Sequence, residues 1–202
     1  MLRGFAQLLC DARFLGLTFI GGLGMSSFFT FLASSAFIYI EHFGLTPTQY
    51  SLAFSVNAIG FIGASQFAAK LGMRFGMARV VLTAVSLYAL FATVLFAATA
   101  SGLDGLAVLM VLLFLAFACL GLVIPATMVL ALEDHGPIAG MASALGGTLQ
   151  MVAGGLMIVL VSWFFDGTAL PMVATIALCA LAALALSLMT LRRRERATQL
   201  AD

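Results

Sequence analysis

The chain has 202 residues, of which 63% are hydrophobic and 8% are charged, and its formal net charge is +1. Soluble domains carry roughly 25% charged residues, so this chain has too few polar side chains to cover a water-exposed surface. The composition excludes an ordinary soluble domain, gives no sign of a nucleic-acid partner, and predicts an all-α polytopic membrane protein.

Residues 1–13 are predicted to form a cytoplasmic amphipathic lead-in to the first span. Leu2, Phe5 and Leu9 share one face of a helix, and Arg3 lies off that face. This pattern suits the membrane surface, and an ordered segment that simply precedes the first span is the alternative.

Six apolar stretches are long enough to cross a bilayer, which takes about 20 residues. They are residues 14–40, 51–69, 80–100, 105–130, 139–163 and 170–191. We therefore predict one domain over residues 14–191, followed by a basic cytoplasmic tail over residues 192–202.

The basic residues predict the orientation of the six spans. All 9 Lys and Arg fall in the amino-terminal segment, in the connection between the second and third spans, or in the carboxyl-terminal tail. Because cytoplasmic connections are enriched in Lys and Arg, both termini are expected in the cytoplasm. The acidic pair Glu133–Asp134 on that same side is the one departure from the pattern.

Small and polar residues distinguish the spans from one another. The third and sixth spans contain no glycine, whereas the others contain glycine, amide side chains or proline. Helices that pack closely or line a cavity tend to carry such residues. The chain thus divides into two sets of three helices. We expect spans one, two, four and five to be internal and the last helix of each set to be peripheral.

The fifth span contains the run GMASALGGTLQMVAGG at residues 140–155. Its spacing places Ser143, Gly147, Gln150 and Gly154 on one stripe. Two hypotheses remain open: a tight helix–helix seam that includes Gly140 and is held by Gln150, or a polar group facing a substrate.

Several residues of the internal spans are candidates for lining a cavity. Pro125 is expected to kink the fourth span. Phe28, Phe31, Phe61 and Phe117 could form an aromatic wall, although core or lipid contact is the default for any one of 18 phenylalanines. The cavity-lining candidates are Ser34, Phe37, Asn57, Phe61, Pro125 and Gln150. Tyr39 and Trp163 are expected to be interfacial anchors.

Catalytic and metal-binding patterns are missing from the sequence. The three cysteines and two histidines are scattered, and no carboxylate pair or phosphate-binding glycine loop accompanies them. We expect neither an enzyme, nor a metal or cofactor, nor a disulfide.

Three stretches resemble the carboxyl-terminal half of the bicyclomycin-resistance (Bcr/CflA) branch of the major facilitator superfamily. They are SSAFIYIEHFGLTPTQYSLAFSVNAIG, which includes Phe37, Tyr39 and Asn57, then GPIAGMASALGGTLQ, and DGTALPM at residues 166–172. The resemblance implies helices seven to twelve of an exporter in the bacterial inner membrane. Such a protein moves a small-molecule drug or metabolite in exchange for protons. In that fold the helices matching spans one, two, four and five surround the central cavity.

The connection AKLGMRFGMAR is similar to the cytoplasmic loop signature of the superfamily. Arg74 and Gly76 occupy its core, Lys70 and Arg79 supply further charge, and Met73 stands where the family has an acid. Without that acid, the basic residues need only set the topology and contact lipid headgroups.

The family's usual coupling acid belongs to the first half, which this chain does not resemble. The leading hypothesis is therefore half of an efflux carrier that works in the lipid bilayer as a homodimer or with a separate N-terminal half. The alternative is a truncated or split-gene membrane protein, or an accessory subunit, with no transport of its own.

Overall fold

The structure is a computed structural model that describes residues 2–103, 105–164 and 166–199, with side chains from residue 4 to residue 191. The side chains of Leu2, Arg3 and the basic tail lie outside the described part of the structure, and so do the predictions that concern them. Seven α-helices and two short helical turns make up the described chain. The helices are α1 (Leu2–Cys10), α2 (Ala12–Phe37), α3 (Pro47–Phe75), α4 (Met77–Ala100), α5 (Leu106–Glu133), α6 (Ala139–Trp163) and α7 (Leu170–Gln199).

Six of these helices, α2 to α7, are long and apolar enough to cross a membrane. This confirms the all-α class and the six predicted spans. A π-helical turn at Ile38–His42 extends α2, and a 3₁₀ turn at Gly136–Ile138 precedes α6. The last helix runs on to Gln199, so most of the segment predicted as a separate tail continues the helix.

Local sequence signals explain where the helices start and stop. The Asp11 side chain accepts hydrogen bonds from the backbone amides of Arg13 and Phe14 and so caps α2. Thr46 and Gln49 form a reciprocal capping box at the start of α3. Gly76 separates α3 from α4 with φ +86°, a conformation that favours glycine.

The helices pack in a repeated pattern. α2 and α5 form a central pair; α6 and α7 pack on α2, while α3 and α4 pack on α5. Exchanging the set α2–α4 with the set α5–α7 leaves this pattern unchanged, as expected for the inverted three-helix repeats of many carriers. α4 and α7 close one face of the bundle, and α3 and α6 stand apart on the opposite face.

The glycine-free helices α4 and α7 are less peripheral than predicted. They pack against each other and are more buried than α3 and α6. The fully buried Tyr88 of α4 donates to Ser27 Oγ of α2 and to the Ile176 carbonyl of α7. Buried alanines and other apolar side chains, together with the paired Tyr88 hydroxyl, hold this side together.

Side-chain contacts show which ends of the helices meet. A Cβ added at Gly16 in α2 would touch Thr190 in α7, and Phe37 at the other end of α2 lies by Gly167. The start of α2 and the described end of α7 therefore lie at the same end of the bundle. Phe54 and Phe61 of α3 stack on Phe31 and Phe28 of α2, so α3 runs antiparallel to α2 and brings the basic α3–α4 connection to that end too. The cytoplasmic assignment of that end remains a prediction.

The two predicted interfacial anchors differ in the structure. Trp163 is 75% exposed at the end of α6, whereas Tyr39 is only 1% exposed. The Tyr39 ring packs on Tyr50 and Phe43, with centroid distances of 5.9 and 6.5 Å. The prediction for Tyr39 is therefore wrong, because α3 covers the ring.

Candidate substrate site

An aromatic cavity of about 200 Å³ lies between α2, α3 and α5. We call it the phenylalanine cavity. Its walls are Phe28 and Phe31 from α2, Phe54, Asn57, Ala58, Phe61 and Ile62 from α3, and Phe117 from α5.

Aromatic rings bridge the space between α2 and α3. Phe28 and Phe61 stack with centroids 5.8 Å apart, and Phe31 and Phe54 stack at 5.8 Å with an interplanar angle of 9°. Phe117 contacts both α2 rings, at 6.2 Å from Phe28 and 4.8 Å from Phe31. The rings fill the gap where the α2 and α3 backbones do not pack closely, so the cavity wall consists of side chains.

Glycines set the position of α3 against α5. A Cβ at Gly121 would lie 2.2 Å from the Phe61 carbonyl oxygen, and one at Gly60 would lie 2.6 Å from the Phe114 ring. Only residues without a side chain allow the helices to come this close. The close approach fixes Phe61 and Phe117 on adjoining sides of the cavity.

Asn57 is the one polar side chain among the described residues that line the cavity. It is 3% exposed, and its Nδ2 donates to the Ala53 carbonyl at 3.2 Å. Among the described residues, neither its Oδ1 nor the buried Tyr39 hydroxyl has a partner in good hydrogen-bond geometry, although the Tyr39 hydroxyl lies close enough to interact with the Asn57 side chain. A buried polar atom without a well-formed hydrogen bond costs about 1–3 kcal/mol, so Asn57 Oδ1 would accept from a ligand's donor group if the side chain turned toward the cavity.

The chemistry of the cavity is that of recognition. Aromatic faces bind flat or apolar groups and attract cations, and the single amide acceptor would orient a donor. Drug-sized ligands occupy about 300–1,000 Å³, so a cavity of about 200 Å³ holds part of such a molecule.

The structure brings together several of the predicted cavity residues. Asn57 and Phe61 line the cavity with the suggested wall of Phe28, Phe31 and Phe117. Sequence reasoning did not include Phe54 in this wall. Its spacing from Asn57 and Phe61, at three and seven residues, is that of one helix face, and this signal could have identified it.

Other candidates lie elsewhere. Ser34 is buried in α2 but does not line the cavity, and Phe37 is 44% exposed beside Gly167. Pro125 is half-buried within α5, which continues through it from Leu106 to Glu133.

Gln150 lies in the seam that α6 makes with α2 and α5. A Cβ at Gly21 would be 2.5 Å from Gln150 Nε2 and 2.9 Å from Thr127 Oγ1. Gln150 is buried, and its Nε2 has no partner in the described part of the chain. The structure thus places Gln150 at a helix seam, apart from Asn57.

The seam differs from the predicted stripe of small residues. Its buried members on α6 are Ala142, Gly146, Gln150 and Gly154. Gly154 meets the Phe29 ring, whereas Gly140 and Ser143 are exposed and Gly147 faces open space. A ridge of residues four apart packs against α2, and it replaces the predicted mixture of three- and four-residue steps.

The acidic pair at the end of α5 has basic partners. Arg13 forms salt bridges with Glu133, at 3.4 Å, and with Asp134. His135 Nε2 lies 3.2 Å from an Asp11 carboxylate oxygen, and its Nδ1 lies 3.1 Å from the Ala131 carbonyl. These contacts explain the one departure from the charge pattern, because the acids fasten the start of α2 to the end of α5.

No protein-family model matches the sequence. The chain is similar to the uncharacterized MFS-type transporter YdgK of Bacillus subtilis (strain 168), with 28% identity over 171 residues. The similar region covers 85% of this chain and 42% of that protein. This similarity and the six apolar helices support a multi-pass membrane protein with a role in membrane transport. The architecture is consistent with half of a major facilitator fold.

Proposed function

We propose that the chain is half of a small-molecule efflux carrier of the drug/proton antiport type, related to the Bcr/CflA branch. It exports a drug or metabolite across the bacterial inner membrane. The observation that carries this proposal is the phenylalanine cavity itself, an aromatic space in which Asn57 is the one polar side chain among the described wall residues. An aromatic site with a single amide in its wall suits a cargo with an apolar ring and a hydrogen-bond donor.

The carrier needs a second six-helix unit, because carriers of this type hold substrate between two related halves. The face between α3 and α6, the two least buried spans, is where that unit would pack. It is either a second copy of this chain or a separate N-terminal half.

Proton coupling would come from the second unit. Within the described spans, acidic and basic residues occur only near the ends, as with Arg13, Glu41 and Glu133. A homodimer should therefore show little proton-driven transport. The same observation favours the alternative, an accessory membrane subunit with no transport of its own.

Ligand binding tests the proposal on the chain itself, because one chain supplies all the described walls of the cavity. Ethidium, chloramphenicol and bicyclomycin would be titrated into nanodiscs containing the wild type, Asn57→Leu or Phe61→Ala. We expect at least one probe to bind and Asn57→Leu to weaken it by about tenfold, the equivalent of one lost hydrogen bond. Phe19→Ala, at an exposed phenylalanine of α2, is the control. Failure of all three probes, or equal binding by the Asn57 variant, would refute the proposed site.

Transport separates the carrier from the accessory subunit. Vesicles with an imposed pH gradient would contain the chain alone or the chain with a first-half unit that carries an intramembrane acid. Efflux only with both units supports the half-carrier, and no efflux in either preparation supports the accessory role.

Orientation is tested with single cysteines at Thr48, Gly167 and Thr198. An impermeant thiol reagent should label the first two from outside the cell. Labelling of the third in intact cells would contradict cytoplasmic termini.

A further inference from the structure

A second groove, of about 340 Å³, opens between α3, α4 and α5 at the end of the bundle where α2 begins. We call it the α3–α4 groove. Leu71 and Phe75 line it on α3, Leu87 on α4, and Cys119 on α5, and Arg79 also lines it. The groove is apolar apart from this guanidinium and the Thr83 hydroxyl.

Three exposed cations lie in or next to the chain segments that line this groove. Lys70, Arg74 and Arg79 are all exposed, and the guanidinium carbon of Arg74 lies 5.3 Å from the centroid of the Phe75 ring. Since Phe75 lines the groove, two guanidinium groups are placed at it.

These cations have no acidic partner among the described residues. In the described part of the chain, the salt bridges involve Arg13 and His135 and none of these three residues. The sequence from His42 to Leu103 contains no Asp or Glu. Arg13, at the same end of the bundle, is paired with two acids, whereas the positive charge at the groove is unpaired among the described residues.

We propose that the α3–α4 groove binds an anionic phospholipid, with an acyl chain in the groove and the phosphate against Arg79 and Arg74. Basic pockets between membrane helices bind anionic headgroups. From Arg79 to Leu87 the groove runs about 12 Å along the helix, close to the roughly 15 Å of one hydrocarbon leaflet. A free phosphate would leave the apolar wall unused, and a zwitterionic headgroup would not neutralise the three cations.

The bound lipid would bridge the turn between α3 and α4. It would contact α3 about three to four turns from Phe61 and so hold one wall of the phenylalanine cavity. The lipid site does not depend on the identity of the transported molecule.

Lipid binding can be measured by native mass spectrometry of the detergent-solubilised full chain. Dioleoylphosphatidylglycerol and dioleoylphosphatidylcholine would be titrated separately, since they share acyl chains and differ in headgroup charge. We expect at least tenfold tighter binding of the anionic lipid. At roughly fivefold for each basic residue, R74Q/R79Q should weaken that binding by about 25-fold and leave phosphatidylcholine unchanged. Arg13→Gln is the matched control and should bind both lipids as the wild type does.

The groove itself is tested at Cys119, a largely buried residue of its wall. In a Cys10→Ser, Cys179→Ser background, the anionic lipid should slow alkylation of Cys119 by N-ethylmaleimide, and glycerol phosphate should not. Equal protection by glycerol phosphate would identify a plain anion site and overturn the proposal. Equal affinity for the two lipids, or no effect of R74Q/R79Q, would overturn it too. If the double variant does not fold, the proposal is decided by the affinity of R79Q for the anionic lipid and by the wild-type comparison of the two lipids.

Discussion

Gly121 is the residue at which a single methyl group should disturb the fold most. In Gly121→Ala the new Cβ would stand 2.2 Å from the Phe61 carbonyl oxygen, where ordinary contact is 3.4–4 Å. The obstacle is backbone, so no side chain can rotate away, and α3 and α5 must separate by about 1 Å. Overpacking of this kind costs about 1–3 kcal/mol. For a chain of this size it lowers the melting temperature by roughly 2–12 °C.

A thiol-reactive dye gives the measurement, because Cys119 and Cys179 are buried and become reactive on unfolding. The exposed Cys10 would be replaced by Ser to remove its background signal. Gly63→Ala is the control: it lies in α3, and its added Cβ would meet nothing within 4 Å. That variant should melt at or above the wild-type temperature, since Ala favours helix over Gly.

The displacement of Phe61 should also weaken binding in the phenylalanine cavity. If Gly121→Ala melts within 1 °C of the control and binds ligand normally, the close approach of α3 and α5 does not exist. That result would remove the geometric basis of the candidate site.

Three further predictions concern other contacts. Gly21→Ala should destabilise the seam between α2 and α6, because its Cβ would lie 2.5 Å from Gln150 Nε2. Adding Gln150→Ala should restore part of the lost stability, and additive effects of the two substitutions in a double-mutant cycle would contradict this. Arg13→Gln should lower the free energy of unfolding by less than about 2 kcal/mol, because both acidic partners are half-exposed and such pairs contribute about 0–1 kcal/mol each. A loss of stability that is as large in 1 M salt as in low salt would argue against ion pairing. Hydrogen bonds from Thr168 lower the pKa of Asp166, so its contribution to stability is present above the ordinary carboxyl pKa and disappears as the pH falls through the lowered value. Melting temperatures across pH 2–6 should therefore show an acid-side decline that is smaller in Asp166→Asn, and identical pH profiles would contradict it.

The six spans could be predicted from sequence because length and apolar composition decide whether a helix crosses a bilayer. Those properties belong to each stretch separately. The charge pattern likewise needed no tertiary information. The presence of four phenylalanines in the internal spans suggested an aromatic wall of Phe28, Phe31, Phe61 and Phe117. Only the packing of α5 against α3 shows that these rings meet.

The misassigned residues were those whose surroundings depend on a partner helix. α6 could have packed along several ridges, and the Phe29 ring and Gly21 of α2 select the ridge through Gly146 and Gly154. Tyrosine is a common interfacial anchor, which is why Tyr39 was predicted to be one. It is buried instead, because α3 begins early enough to place Tyr50 against it. Periodicity within one helix contains neither fact.

The repeated packing has a consequence for biogenesis. α2 packs chiefly on α5, α6 and α7, all of which the ribosome makes later, so α2 enters the bilayer before its partners exist. Three of its hydroxyls already donate within the helix: Ser26 to the Gly22 carbonyl, Ser27 to Leu23 and Thr30 to Ser26. Exposed hydroxyls without partners would be costly in lipid, and these are satisfied from the moment the helix forms. This part of the polar face of α2 is therefore already hydrogen-bonded in the membrane before the second three-helix set covers it.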